Sequence, residues 1–155
     1  MKGIHLEKFY PHPLERVWQA VATQRGLAAW LMPNDFEPRQ GHRFQFRWKP
    51  VPGWRGIVDC EVLEIAPPHT LSFRWCGDPK HRPTRVTIRL TAVAGGTQLV
   101  LDHDGFQGLG GWFSKLMMRG GWKSKMLERQ LPAALAALQQ GGLEALVPLD
   151  PQGAR

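Results

Sequence analysis

The segment YPHPLERVWQAVATQRGLAAWLMP, residues 10–33, decides how this 155-residue chain is read. Pro13 stands where a first-turn proline is tolerated, because the first N–H groups of a helix have no intrahelical acceptor. From there Val17, Trp18, Val21 and Ala22 recur along one stripe, which predicts a helix from about Pro13 to Thr23. Leu27, Ala28, Trp30 and Leu31 make a second short helix, ended by Pro33 because the residue before a proline is driven out of the α region. Two striped helices in succession need an apolar surface to lie on.

The flanking chain supplies that surface as strands. Lys2 to Phe9 reads as a first strand with Ile4 and Leu6 on one face. From Arg43 the period falls to two, with Phe44, Phe46 and Trp48 alternating against Arg43, Gln45 and Arg47, the pattern of a sheet with one buried and one wet face. Gly56 to Ile65 follows, and its apolar parity changes from Val58, Cys60 and Val62 to Leu63 and Ile65, so a bulge is expected. After the turn at Pro67 and Pro68, Leu71, Phe73 and Trp75 line one face. Val86, Ile88 and Leu90 do the same in the next strand. A two-residue turn at Gly95 and Gly96 would then pair Leu90 with Leu101 and Ile88 with His103, pointing His103 inward.

Beyond Phe106 the stretch Gln107 to Gly121 is broken by glycines but carries Trp112, Phe113, Leu116, Met117 and Met118, enough for a short helix acting as a flap. From Trp122 onward Met126, Leu127, Leu131, Ala134, Leu135 and Leu138 mark a long terminal helix. Pro132 interrupts it, and a kink is expected there. Residues 1–140 form one domain, and 141–155 lose periodicity and read as a disordered tail. The sum is an α+β architecture, a curved antiparallel sheet of about six strands wrapped around the long C-terminal helix.

Composition narrows the function classes. No apolar run approaches the ~20 residues of a membrane span, so no membrane insertion and a cytoplasmic location are expected. Cys60 and Cys76 lack the spacing of a zinc or redox pair and read as reduced structural thiols. The net charge of +7 is scattered in loose groups, which favours a solvated basic surface over a nucleic-acid interface.

YPHPLERVWQAV, LAAWLMP, WRGIVDCEVLEIAPPHTLSFRW, GGTQLVLDHDGF and GGW at 120–122 together resemble the SRPBCC superfamily. Within it they are most similar to the branch named after activators of the heat-shock-protein ATPase. The resemblance spans about residues 3–140. It implies the helix-grip fold shared with START domains and the birch-pollen allergen, with a deep apolar cavity, and it adds a chaperone as a second class of partner.

Catalytic motifs are thin: GxSxG, HExxH, P-loop and GxGxxG patterns are all missing, and no cofactor or metal is expected. Alternation sends Asp102 and Asp104 to the face opposite His103, so the three form no relay. Asp59 and Glu61 share a parity and would face inward only if the strand bulges late; otherwise they line the solvent face. The expected ligand site is a small-molecule pocket of Trp30, Phe44, Phe46, Trp48, Trp75, His103, Phe106, Trp122 and Met126. The leading expectation is non-catalytic binding of a small apolar or aromatic ligand. Activation of a chaperone ATPase and an enzyme of cyclase or hydrolase type on a hydrophobic substrate are the alternatives.

Overall fold

Alternating apolar residues produce six strands, all antiparallel, in the computed structural model, which describes residues 2–153. These are β1 (Ile4–Tyr10), β2 (Arg43–Arg47), β3 (Ile57–Ala66), β4 (Thr70–Cys76), β5 (Thr84–Val93) and β6 (Gly96–Asp104), in the sheet order β1-β6-β5-β4-β3-β2. Ile4 and Leu6, Phe44 and Phe46, Phe73 and Trp75, and Leu99 and Leu101 all point to the same buried side. The chain therefore has the helix-grip α+β fold.

The expected bulge lies between Val62 and Glu64, where the pairing with β4 slips by one residue. It moves the inward parity from Val58, Cys60 and Val62 to the half-buried Leu63 and Ile65. The β5–β6 hairpin differs from expectation. Its turn is Ala94 and Gly95, with Gly95 at φ 82°, and Val93 pairs with Gly96. Leu90 consequently faces Leu99, Ile88 faces Leu101 and Val86 faces His103. A two-residue slip preserves the face of every side chain, so His103 still points inward.

Helices α1 (Leu14–Val21) and α2 (Gln24–Trp30) follow β1. Thr23 caps α2, its Oγ1 accepting from the N–H of Gly26 at 3.0 Å. A Cβ at Gly26 would stand 2.3 Å from the Ala20 carbonyl oxygen, so the glycine lets the two helices close on each other. Trp30 then donates its indole N–H to that carbonyl at 2.8 Å.

The C-terminal helical run is continuous but not uniform. It comprises α3 (Gly108–Gly120), a π-helical segment Gly121–Gln130 and α4 (Leu131–Gly141). The π-helical segment is wound by bonds that reach five residues back, and the last such bond joins Leu131 N–H to the Met126 carbonyl. The next would join residue 132 to the Leu127 carbonyl, but Pro132 has no N–H. Tyr10, the chain's single tyrosine, donates its hydroxyl to that orphaned carbonyl at 2.7 Å in the buried core. The proline thus marks a change of winding, at the first turn of α4, rather than a kink within one α-helix.

The segment after Gly141 also differs from the expected frayed tail. Gly142–Ala145 forms a 3-10 turn, Leu146 and Leu149 are buried, and Leu149 N–H donates to the Ala28 carbonyl at 2.8 Å. Two isolated leucines carry too little periodicity to announce this packing, which ties the segment to α2 through the Ala28 carbonyl.

Tyr10→Phe leaves the buried Leu127 carbonyl without a partner and is expected to cost about 2 kcal/mol. Pro132→Ala supplies an N–H to that part of the helix, so the same tyrosine substitution should cost about half as much in the alanine background. Urea denaturation of wild type, both single variants and the double variant measures the coupling; strictly additive free energies would refute the link.

Candidate functional site

The inner side of β4, β5 and β6 meets the π-helical segment at a polar chain set among aromatic rings. Trp122 Nε1–H donates to His103 Nδ1 at 3.1 Å. An indole nitrogen only donates, so Nδ1 carries no proton and the proton sits on Nε2. Nε2 is 2.7 Å from Thr84 Oγ1 and donates to it, and that hydroxyl donates in turn to the Trp75 carbonyl at 3.3 Å. Every polar atom of the chain is satisfied.

His103 is fully buried, and desolvation lowers its pKa to about 3 from the ordinary 6.5. It is therefore neutral at physiological pH, with a fixed tautomer. Its ring centroid lies 4.7 Å from that of Phe106 and 5.5 Å from that of Trp75. An imidazole so enclosed is held by its partners and is out of contact with solvent. It orients the surrounding rings.

Of the remaining predicted site residues, Trp30, Phe44, Phe46 and Trp122 are buried with Trp75 and Phe106. They form two joined groups. Phe44, Phe46 and Phe73 cluster on β2 and β4, with Phe36 edge-on to Phe44 at 5.3 Å. Trp75 connects this group to Trp122, and Trp122 to Trp30, at 5.7 and 6.3 Å. Trp48 and Met126 are half-buried and pack against the core. Sheet and helix thus meet ring to ring at Trp75 and Trp122, where an open cavity was expected.

Two surface depressions lie elsewhere. One of about 380 Å³ is lined by Asp35, Arg43, Phe44, Gln45, Asp59 and Cys60, and another of about 440 Å³ sits at the opposite edge of the sheet beside Pro11, His12, Leu14 and Gly96. Both open to the surface.

Thr84, Phe36 and Phe73 belong to this constellation although they were not among the predicted site residues. Thr84 shares the parity of Val86 and Ile88, a signal that extending the strand by two residues would have used. Phe73 lay on the inward parity already. Phe36 sits outside any periodic element and has no such signal.

Asp59 and Glu61 are on the outer face even though the bulge does fall late in β3. Asp59 accepts from Arg55 and Gln45 at 2.7 Å each, and these bonds hold its pKa below the usual carboxylate range. Glu61 accepts from Arg74 at 2.9 Å. They are surface ion-pair partners and make no acid-base pair in the interior. Cys60 faces inward opposite Trp75 while Cys76 lies opposite Asp59, so the two free thiols point to different faces; burial pushes the Cys60 thiol pKa up.

The family described as "Activator of Hsp90 ATPase homolog 1-like protein" matches residues 11–136, a span that takes in the helix pair, the sheet and most of the C-terminal run. The chain belongs to this AHSA1 family. Among solved structures, protein MLL2253 from Mesorhizobium loti is 33% identical, with 90% of this chain and 97% of that chain covered and a TM-score of 0.68. The solution structure of BH1534 from Bacillus halodurans is 27% identical over 87% and 97%, with a TM-score of 0.72. DynU16, from the dynemicin biosynthetic locus, shares the fold at 22% identity and a TM-score of 0.68, this chain covering 50% of its length. None of the curated proteins is significantly similar. The AHSA1 assignment agrees with the SRPBCC resemblance and with the helix-grip architecture.

The buried imidazole makes acid stability diagnostic. An unfolded histidine takes up a proton below about pH 6.5, whereas His103 in the fold resists it until about 3, so its contribution is complete above 6.5 and is lost as pH falls. The slope it adds is about 1.4 kcal/mol per pH unit. His103→Gln keeps an acceptor for Trp122 and a donor for Thr84 without titrating. Urea denaturation between about pH 7 and 5 should show a flatter decline for the glutamine variant; parallel declines would mean that His103 is not buried neutral.

Proposed function

We propose that this AHSA1-family domain binds a small apolar or aromatic molecule, without chemistry, between the sheet and the π-helical segment. The observation that carries the reading is the row Trp75, Trp122 and Phe106 gathered around a neutral His103 beneath a lightly attached helix. Large flat walls with one fixed polar group suit an aromatic guest, for which stacking area supplies affinity and a hydrogen bond supplies orientation. Because the rings touch in the closed form, a guest enters by displacing one of them. Trp122 is the candidate, since it stands on the helical run rather than on the sheet and its bond to His103 Nδ1 is one that a ligand hydroxyl can replace.

α3 is the element that moves in this reading. It meets the core through Met118 and lays Gly111 against Phe106, and it carries no other large buried side chain among its described residues. Such a helix opens at little cost. The site residues are then Trp30, Phe44, Phe46, Trp75, His103, Phe106 and Trp122, with Trp48 and Met126 packed against them. A satisfied, water-excluded His103 and outward-facing Asp59 and Glu61 argue against the cyclase or hydrolase alternative.

A panel of lipids, polyketides and phenolic aromatics, titrated against tryptophan emission, is expected to contain compounds that change it saturably. Trp122→Phe frees His103 Nδ1, so a phenol should gain about fivefold over its deoxy analogue in that variant relative to wild type. Failure of every compound to perturb emission in either protein would remove the reading.

The family description favours a second reading, stimulation of an Hsp90-type ATPase. It predicts faster ATP turnover when the chain is added to the chaperone of its own cell. Unchanged turnover together with absent binding would eliminate it.

A further inference from the structure

Helix α3 is amphipathic in the reverse of the usual sense. Its less exposed positions are Gly111, Ser114, Lys115 and Met118, spaced as one face of an α-helix. Its outer face carries Trp112, Phe113, Leu116 and Met117, which are 45%, 59%, 51% and 80% exposed. Trp112 and Phe113 touch each other, ring centroids 5.0 Å apart, and together with Leu116 and Met117 form a continuous apolar surface facing solvent. Scattered exposed apolar residues are ordinary, but four on adjacent turns of one helix mark an interaction surface.

The charge around this surface selects the partner. From Gly105 to Leu127 the chain contains Lys115, Arg119, Lys123 and Lys125 and no acidic residue. The first acid beyond, Glu128, is taken by Lys8 and Lys123. The charged residues of α3 and of the five residues after it are thus all cations, while the exposed Asp104 lies before the helix. A second copy docked two-fold on the same face would bring the two basic sets together. An anionic bilayer surface answers both features, since headgroups attract the cations while the rings and Leu116 settle at the acyl boundary. Indole rings favour that interface.

We propose that α3 is a peripheral membrane-docking helix for anionic lipid surfaces. It lies flat: thirteen residues reach about 20 Å, too short to span, and no helix among the described residues is long and apolar enough to cross a membrane. The docking face is the side of α3 away from the sheet, so it stands independently of any ligand held in the interior. Part of the net positive charge then acts as a lipid-attracting patch, where composition alone suggests only a solvated surface.

Co-sedimentation with vesicles tests this directly. Vesicles containing about one-third phosphatidylglycerol should bind the protein at least tenfold more tightly than vesicles of phosphatidylcholine alone, and raising salt to about 0.5 M should abolish the difference. Trp112→Ser combined with Met117→Ser should lose binding to both with an unchanged melting temperature, because both side chains are exposed. Arg119→Glu with Lys125→Glu, both exposed, should lose the anionic preference. Equal sedimentation with both vesicle types, no sedimentation with either, or retention by the serine variant would overturn the proposal. So would a concentration-dependent dimer, seen by sedimentation velocity, that the serine variant abolishes while vesicles never bind; that result would assign the face to a second copy.

Discussion

A buried carbonyl with no backbone donor is the constraint around which the C-terminal half is arranged. Pro132 cannot supply the N–H that the π-helical register requires at Leu127, and an unpaired carbonyl in the core is costly. Tyr10 resolves it from the far end of the chain, at the last position of β1, with the hydroxyl donating at 2.7 Å. The bond fixes the height and rotation of the helix against the sheet edge. Gln130, one turn further on, donates to the Trp30 carbonyl at 2.6 Å and ties the same region to α2. Sheet, helix pair and terminal helix are thereby referenced to one another within a single turn of chain.

The second anchor is the chain from Trp122 through His103 and Thr84 to the Trp75 carbonyl. It joins the start of the π-helical segment to three adjacent strands, and its cost is kept low because each donor finds one acceptor. An apolar contact at this place would hold the helix equally well but would not choose a rotation. The polar chain does choose, because only one tautomer and one indole orientation satisfy it. The binding reading uses the same property: a guest that replaced the Trp122 donor would find an acceptor already aimed.

Much of this was legible from residue periodicity. The strands announced themselves through Phe44 and Phe46, Phe73 and Trp75, and Val86, Ile88 and Leu90, because a face buried by a helix requires period two. The helix pair was legible from Val17, Trp18, Leu27 and Trp30. The hairpin slip was not, since shifting by two residues leaves the apolar pattern unchanged and only the turn geometry at Gly95 distinguishes the registers. The ring-to-ring contact of sheet and helix was equally hidden. Parity says that Trp75 and Trp122 face each other, whereas the gap between them depends on how closely the helix approaches, which no local pattern encodes. Thr84 was missed because a polar residue at a strand entrance resembles loop, and its role appears only beside His103.

The orientation of α3 follows from winding and shows why a visible stripe can still mislead. Counting back from the buried Leu127 at about 3.6 residues per turn places Leu116 and the Trp112–Phe113 pair on the inward side, the arrangement a flap would need. The π-helical segment breaks that count. Its wider turns bring Trp122, five positions before Leu127, to the interior, and both are fully buried. Resuming α spacing from Trp122 then carries Met118, Ser114 and Gly111 inward and rotates the Trp112, Phe113, Leu116 and Met117 stripe out to solvent. A ten-residue change of winding thus converts what would have been a core-facing seam into an exposed apolar surface beside Arg119. The winding that seats Trp122 against His103 is the same one that turns the stripe outward, so the inner anchor and the outer face arise from a single geometric choice.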